Sequence, residues 1–368
     1  MKYQLTCLTP TLIGDGNRLS PIDYMLWKDQ VNVLDQNRIL KMLSKSPRLD
    51  TYLAQIRRAD RLSFSEWGGY AQNYAVRRIP LENTSITKIW ESAPLESLHI
   101  PTFSTGPSGV MLPGSALKGA IRTALVWSRW MEKGTDQILE MAAQRIEGHR
   151  IPRYLASPSE SVHPEFSIAD GQKINGDLKI YHVRTSRLQN TLNWKDSSPS
   201  FVEMVAPGTE FEGQWSVSTG KVSRIFRAMN QWSSSLLDLH ITYAQKANLP
   251  VLVESLEKIR AEINENSTDT AILSIGWGTG FLGKSAVSDT SSNLYRSILK
   301  ALPLYTRAIQ TGLPFPKTRR VVHLNENPAA LPGWVKFTSA RQVTMKQHDT
   351  LDLVSVNLNP SPVQSSNV

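Results

Sequence analysis

The sequence predicts an α+β protein of two units, each with a largely antiparallel sheet. Three observations predict it. Strand-like segments alternate with helical ones twice along the chain. Several strands meet at turn dipeptides such as Lys28-Asp29 and Pro207-Gly208. A chain of 368 residues, 40% of them hydrophobic, is long enough for two full cores.

In order, KYQLTCLT (2–9) alternates as a strand. The loop TLIGDGNRLSPIDY follows, and then YMLW and QVNVLD form a hairpin about Lys28-Asp29. QNRILKMLSK, from Gln36, has helical spacing at Ile39, Leu40 and Leu43. Residues 46–100 read as helices and excursions inserted into the first unit. In VMLPGSALKGAIRTALVWSRWMEKG a short strand ends at Pro113-Gly114, and Ser115 is the expected N-cap of a helix. Leu117, Ala120, Ile121, Ala124, Ser128 and Met131 share one arc of that helix, and Lys118, Arg122 and Arg129 another. Gly119 costs a helix interior about 1 kcal/mol and predicts close approach of another backbone. After a loop-rich stretch (148–177), DLKIYHVRTSRLQN is a strand carrying Arg184 and Arg187. FVEMVAPGTEFEGQWSVS reads as two strands about Pro207-Gly208, and residues 222–264 as helix broken near Pro250. AILSIGWGTGFLGKSAV is a strand entering a glycine-rich loop, and TRRVVHLNENPAALPGWVKFTSA a closing pair of strands. The units are expected at 1–195, with a basic insertion at about 46–100, and 196–345; the Asn/Ser/Pro-rich tail 346–368 is expected to be disordered.

The formal charge is +9, and it is uneven: Arg38 to Arg78 holds nine Lys/Arg against three Asp/Glu. Such an excess suits a polyanion through counterion release, and equally a solvated soluble face. No apolar run is long enough for a transmembrane helix, and no secretory signal is expected. A single cysteine, Cys7, excludes an intramolecular disulfide and a Cys-rich zinc site. The seven histidines are scattered; His149, His163 and His182 come nearest to a cluster, without metal-ligand spacing. The reading is a cytoplasmic protein without structural metal or cofactor.

GTGFLGKS (278–285) satisfies the phosphate-loop pattern G-x-x-x-x-G-K-[ST]. AILSI supplies the preceding strand, but SAVSDTSSN is a poor helix start, and downstream only Glu326 stands where a metal-holding carboxylate is needed. Too little chain remains for a parallel nucleotide-binding sheet, so a nucleotide hydrolase is disfavoured. Gly276, Gly278, Gly280 and Gly283 still let backbone N–H groups approach a ligand. Trp277 and Phe281 either pack inside or stack on a base, and Lys284 adds charge. The alternative is a glycine-rich turn between core elements.

PGSALKGAIRTAL resembles a motif of the RAMP superfamily of CRISPR-associated proteins, and IGWGTGFLGKS its glycine-rich loop. TPTLIGDGNRLSPIDYMLWKDQVNVLDQNRIL, FVEMVAPGTEFEG and TRRVV…PGWVKF narrow the resemblance to the fifth subunit of the type III-A Csm complex. It covers residues 2–43, 101–125, 178–217, 271–286 and 317–338. The resemblance implies two fused RRM-like (ferredoxin-like) domains. It implies a non-enzymatic subunit that binds crRNA and caps the filament end holding its 3′ portion. It further implies contact with neighbouring backbone and small subunits, indirect contact with target RNA, and help to host nucleases that trim the crRNA, with no membrane. Gly14, Gly16, Arg18, Gly114, Ser115, Lys118, Arg122, Arg184, Arg187, Gly276, Gly278, Gly280, Phe281 and Lys284 are then the RNA-binding candidates. Asp23 sits where a related backbone subunit carries an RNA-cutting Asp, although a turn-forming role before the Tyr24 strand is the better account of it. A guide-processing ribonuclease with His149 as acid or base, and the terminal subunit of a type III-B complex, are the rival readings.

Overall fold

The computed structural model describes residues 1–27, 29–58, 73–133, 166–188, 191–194, 199–284 and 317–340. The first strands are β1 (Lys2–Cys7), β2 (Arg18–Leu19), β3 (Tyr24–Trp27), β4 (Gln30–Leu34), β5 (Ala75–Pro80), β6 (Ile100–Pro101), β7 (Thr105–Gly106) and β8 (Gly109–Leu112). The middle ones are β9 (Phe166–Ile168), β10 (Gly171–Asn175), β11 (Leu178–Leu188), β12 (Leu192–Trp194), β13 (Ser200–Val205) and β14 (Glu210–Val217). β15 (Thr270–Ser274), β16 (Thr318–Leu324), β17 (Asn327–Ala330) and β18 (Trp334–Ala340) close the order. The α-helices are α1 (Gln36–Leu43), α2 (Leu49–Arg58), α3 (Ile86–Ser92), α4 (Gly114–Lys133), α5 (Val222–Lys246) and α6 (Pro250–Ala261).

One sheet runs β15-β18-β1-β14-β10-β8-β7, with β9 also on β14; a second runs β12-β11-β16-β17, with β13 on β11. Strand pairing in both is antiparallel. The alternation in KYQLTC has a simple cause: β1 lies between β14 and β18 and turns Tyr3, Leu5 and Cys7 into the core. The expected boundary at 195 falls just before β13, and both sheets draw strands from either side of it. The strands flanking Pro207-Gly208 do not pair with each other. β13 pairs with β11 and β14 with β1, so this turn carries the chain from one sheet to the other. The closing pair of strands is three: β16 and β17 pair in the second sheet, and β18 enters the first.

Two helices cover the first sheet. α4 buries Leu117, Ile121 and Ala124, and α5 buries Ile225, Met229 and Leu236, in one cluster with Phe211 and Phe337. Polar side chains fix the register of α5 on β15: Ser233 Oγ donates to the Ile272 carbonyl at 2.6 Å, and Asn230 Oδ1 accepts from Ile272 N at 3.1 Å. Because β15 leads into the glycine-rich loop, these bonds also set where that loop starts. Pro250 at the first turn of α6 explains the break in the helical run.

Two expectations for α4 are corrected. Ser115 is not its N-cap: the helix begins at Gly114, whose N–H donates to Asp170 Oδ1 at 2.8 Å, so the cap comes from 56 residues away. Gly119 has no close backbone neighbour either; a Cβ there would meet nothing within 4 Å.

The insertion docks on the body by three devices. β5 extends the β3-β4 hairpin into a three-stranded sheet. Trp90 of α3 lies 4.1 Å, centroid to centroid, from Phe201 of β13. Arg77 of β5 forms two 2.8 Å bonds to the buried carboxylate of Glu203. Arg77, counted in the basic stretch, is therefore committed to an ion pair with a buried carboxylate.

Candidate nucleic-acid interface

Three segments far apart in sequence meet in a cleft of about 640 Å³. One wall is the loop after β1, with Gly14, Gly16 and Arg18. The second is the face of α4 bearing Ser115, Gly119 and Thr123, which recur every four residues and so stack on one side of the helix. The third is the glycine-rich loop, through Gly276, Trp277 and Lys284. The first and third walls are joined directly: Trp277 N donates to the Leu12 carbonyl at 2.8 Å. Gly276 has φ +81°, and a Cβ on it would clash with that same carbonyl. The emptiness beside Gly119 is thus the cleft itself.

A second cleft, about 910 Å³, adjoins the first along the glycine-rich loop. Trp277, Thr279, Ser274 and Lys284 line both. Gly278, Gly280 and Phe281 line the second alone. Its cations are Arg187 of β11, Lys284, and Lys317, Arg319 and Arg320 at the start of β16. Among the described residues, no Asp or Glu lines either cleft. Gly280, at φ +71° and with nothing within 4 Å of where a Cβ would stand, presents bare backbone.

Two of these cations are held in place. Arg319 Nε donates to His240 Nδ1 at 3.1 Å, and its guanidinium lies 4.5 Å from the Tyr243 ring centroid. Burial, with the Arg319 charge adding to it, holds His240 well below the usual imidazole range, so the ring is neutral and Nδ1 accepts. Arg320 lies 4.2 Å from the centroid of Trp277.

The remaining candidates fall elsewhere. Gly114 is buried beneath the Ile168–Ala169 backbone. Lys118 and Arg122 are half-buried on α4 and line neither cleft. Arg184 lies 5.0 Å from the Trp194 ring centroid, also outside both. Asp23 serves its own turn: Oδ2 accepts from Ser20 N at 2.7 Å and Oδ1 from Gln36 Nε2 at 3.0 Å. Glu326 sits in the β16-β17 turn at φ 68° and lines neither cleft. His149, Arg61, the tail and the segment from Ser285 onward that a phosphate loop would need as helix lie outside the described residues.

Sequence reasoning missed Lys317, Arg319, Arg320 and His240. The signal was the Arg-Arg doublet opening TRRVV, but only the β11-β16 register, with Thr318 opposite Arg187, brings it to the glycine-rich loop. It also missed that His182 pairs with His323. Their rings are 5.1 Å apart and both are buried, which pushes His182 down to about 4 and lowers His323. Among the described residues no group of three His, Cys, Asp or Glu is arranged to hold a metal ion, and no helix is long and apolar enough to cross a membrane.

Antiparallel sheets covered by helices, with a glycine-rich loop and a G-S-x-L-K-G helix lining one cleft, define a class. The RAMP superfamily matches residues 4–283, and the chain belongs to it. Its relatives include the "CRISPR system Cms protein Csm5" of Methanocaldococcus jannaschii, 24% identical over 386 residues, which span 92% of this chain and 88% of that one. Two solved structures share the fold. A chain in the cryo-EM structure of a Csm-crRNA-target RNA ternary complex of a type III-A CRISPR-Cas system superposes with TM-score 0.62 at 18% identity, over 91% of this chain and 99% of its own. The crystal structure of T. onnurineus Csm5 gives TM-score 0.60 at 17% identity, over 90% and 99%. The family resemblance carried by the GSALKGAIRTAL motif is borne out.

Proposed function

We propose that this chain is a non-catalytic crRNA-binding subunit of a type III-A CRISPR effector complex, built on two RRM-like units. It caps the filament end that holds the 3′ portion of the guide, works in the cytoplasm, and contacts neighbouring backbone and small subunits, with target RNA reached indirectly and host nucleases doing the trimming. The observation that carries this reading is the pair of adjoining clefts, which bring cations and bare backbone together and, among the described residues, have no carboxylate in their walls. Such walls suit phosphates, whose neutralisation releases counterions, and they read backbone rather than sequence. A guide-binding scaffold needs that, because spacer sequences vary.

The purified chain is expected to bind single-stranded RNA of unrelated sequences alike. Lys284→Ala and Lys317→Ala each weaken binding uniformly and lower the slope of log affinity against log salt by about 1. Repeat RNA incubated with the chain stays intact. Specific metal-independent cleavage of that RNA would instead establish the guide-processing nuclease, and co-purification with type III-B partners the other rival.

Both oxygens of Asp23 are engaged in its turn, so a complex carrying Asp23→Ala is expected to make every target cut. Mapping the cleavage products tests this; one missing cut site overturns the non-catalytic reading.

A further inference from the structure

We propose that the second cleft is a nucleobase subsite, in which one unstacked base of the bound RNA lies on the Arg320 guanidinium while the strand's phosphates follow the Lys284 and Lys317 side. The inference rests on the RNA-binding reading above and extends it from backbone contact to base contact.

Four features point there. The Arg320 guanidinium lies over the Trp277 ring at 4.2 Å from its centroid, a flat cationic surface backed by an indole. Arginine planes and aromatic rings are what single-stranded RNA bases stack on, and such stacking tolerates any base. Trp277 and Lys284 line both clefts, so a strand leaving the first cleft meets this surface as it crosses the glycine-rich loop. Gly280 leaves the crossing open, since no side chain projects from it. The volume of about 910 Å³ is ample for a nucleotide, in the upper part of the range of about 300–1,000 Å³ that small-ligand clefts occupy. The helical wall of the first cleft carries the small side chains of Ser115, Gly119 and Thr123, which admit a strand.

Arginine and lysine separate stacking from charge. Arg320→Lys keeps the charge and loses the plane. Affinity of the full chain for a single-stranded RNA, followed by fluorescence anisotropy across a salt series, is expected to fall about tenfold in both Arg320→Ala and Arg320→Lys. The salt slope is kept in Arg320→Lys. Independently, RNA carrying 5-bromouridine is expected to photocross-link within residues 276–281 or 317–320 of the unaltered chain. Two results overturn the proposal. If the native chain binds RNA, Arg320→Lys binds as tightly, and cross-links map only outside those segments, the base subsite falls while the RNA-binding reading stands. If the native chain binds no RNA, both fall.

Discussion

Arg77→Ala is expected to destabilise the chain by about 3 kcal/mol at neutral pH, the scale of leaving one partner of a buried ion pair alone. Glu203 is fully buried in β13, and both of its oxygens accept from the Arg77 guanidinium. Burial pushes this carboxyl above the usual carboxylate range, and Arg77 opposes the push. Removing Arg77 raises it further. A carboxyl whose folded value lies above its unfolded value keeps its contribution below the unfolded value and loses it as pH rises through the folded one. The deficit of Arg77→Ala relative to the native chain is therefore small in acid and grows toward neutrality. Urea midpoints at pH 5 and pH 7 measure this, and equal midpoints at pH 7 would refute it. Replacing the pair together, Arg77→Met with Glu203→Leu, is expected to stay within about 1 kcal/mol of the native chain, because no charge is left stranded.

Gly276→Ala is expected to lose about 3 kcal/mol or more and most RNA affinity with it. The left-handed backbone alone strains an alanine by about 1–2 kcal/mol. The added methyl also clashes with the Leu12 carbonyl, so the loop must shift and give up the Trp277-to-Leu12 bond that joins two walls of the first cleft. Gly280→Ala is the control for stability: its φ is positive too, but the space around it is open, so its loss of stability is limited to strain of about 1–2 kcal/mol. Thermal melting and RNA titration of the two variants separate the cases. A Gly276→Ala protein that melts with the native chain would show that the loop does not hold the cleft together.

Much of the local structure is legible in the residues. The hairpin pairing of Tyr24–Trp27 with Gln30–Leu34, the helix beginning after Asp35, the strand Leu178–Leu188 and the break at Pro250 all stand where alternation, helical spacing and proline predict them. The eight letters of GTGFLGKS suggested nucleotide chemistry, yet the glycines in and just before them have mixed duties. Gly276 admits the Leu12 carbonyl, Gly278 makes room for Pro332, and Gly280 faces open space. A pattern of letters does not distinguish a glycine that makes room for the protein from one that makes room for a ligand. Gly119 shows the same limit, since the missing side chain suggested a second backbone and leaves a cleft instead.

Strands, helices, turns and the superfamily motifs are written in short windows of residues, because periodicity and turn chemistry act over a few positions. Which strands share a sheet is not. Pairing joins β1 to both β14 and β18, passes the chain between sheets at Pro207-Gly208, and sets Thr318 opposite Arg187. Burial and register across hundreds of residues decide these contacts, and only they bring Gly14, Ser115, Gly276 and Arg320 around one loop.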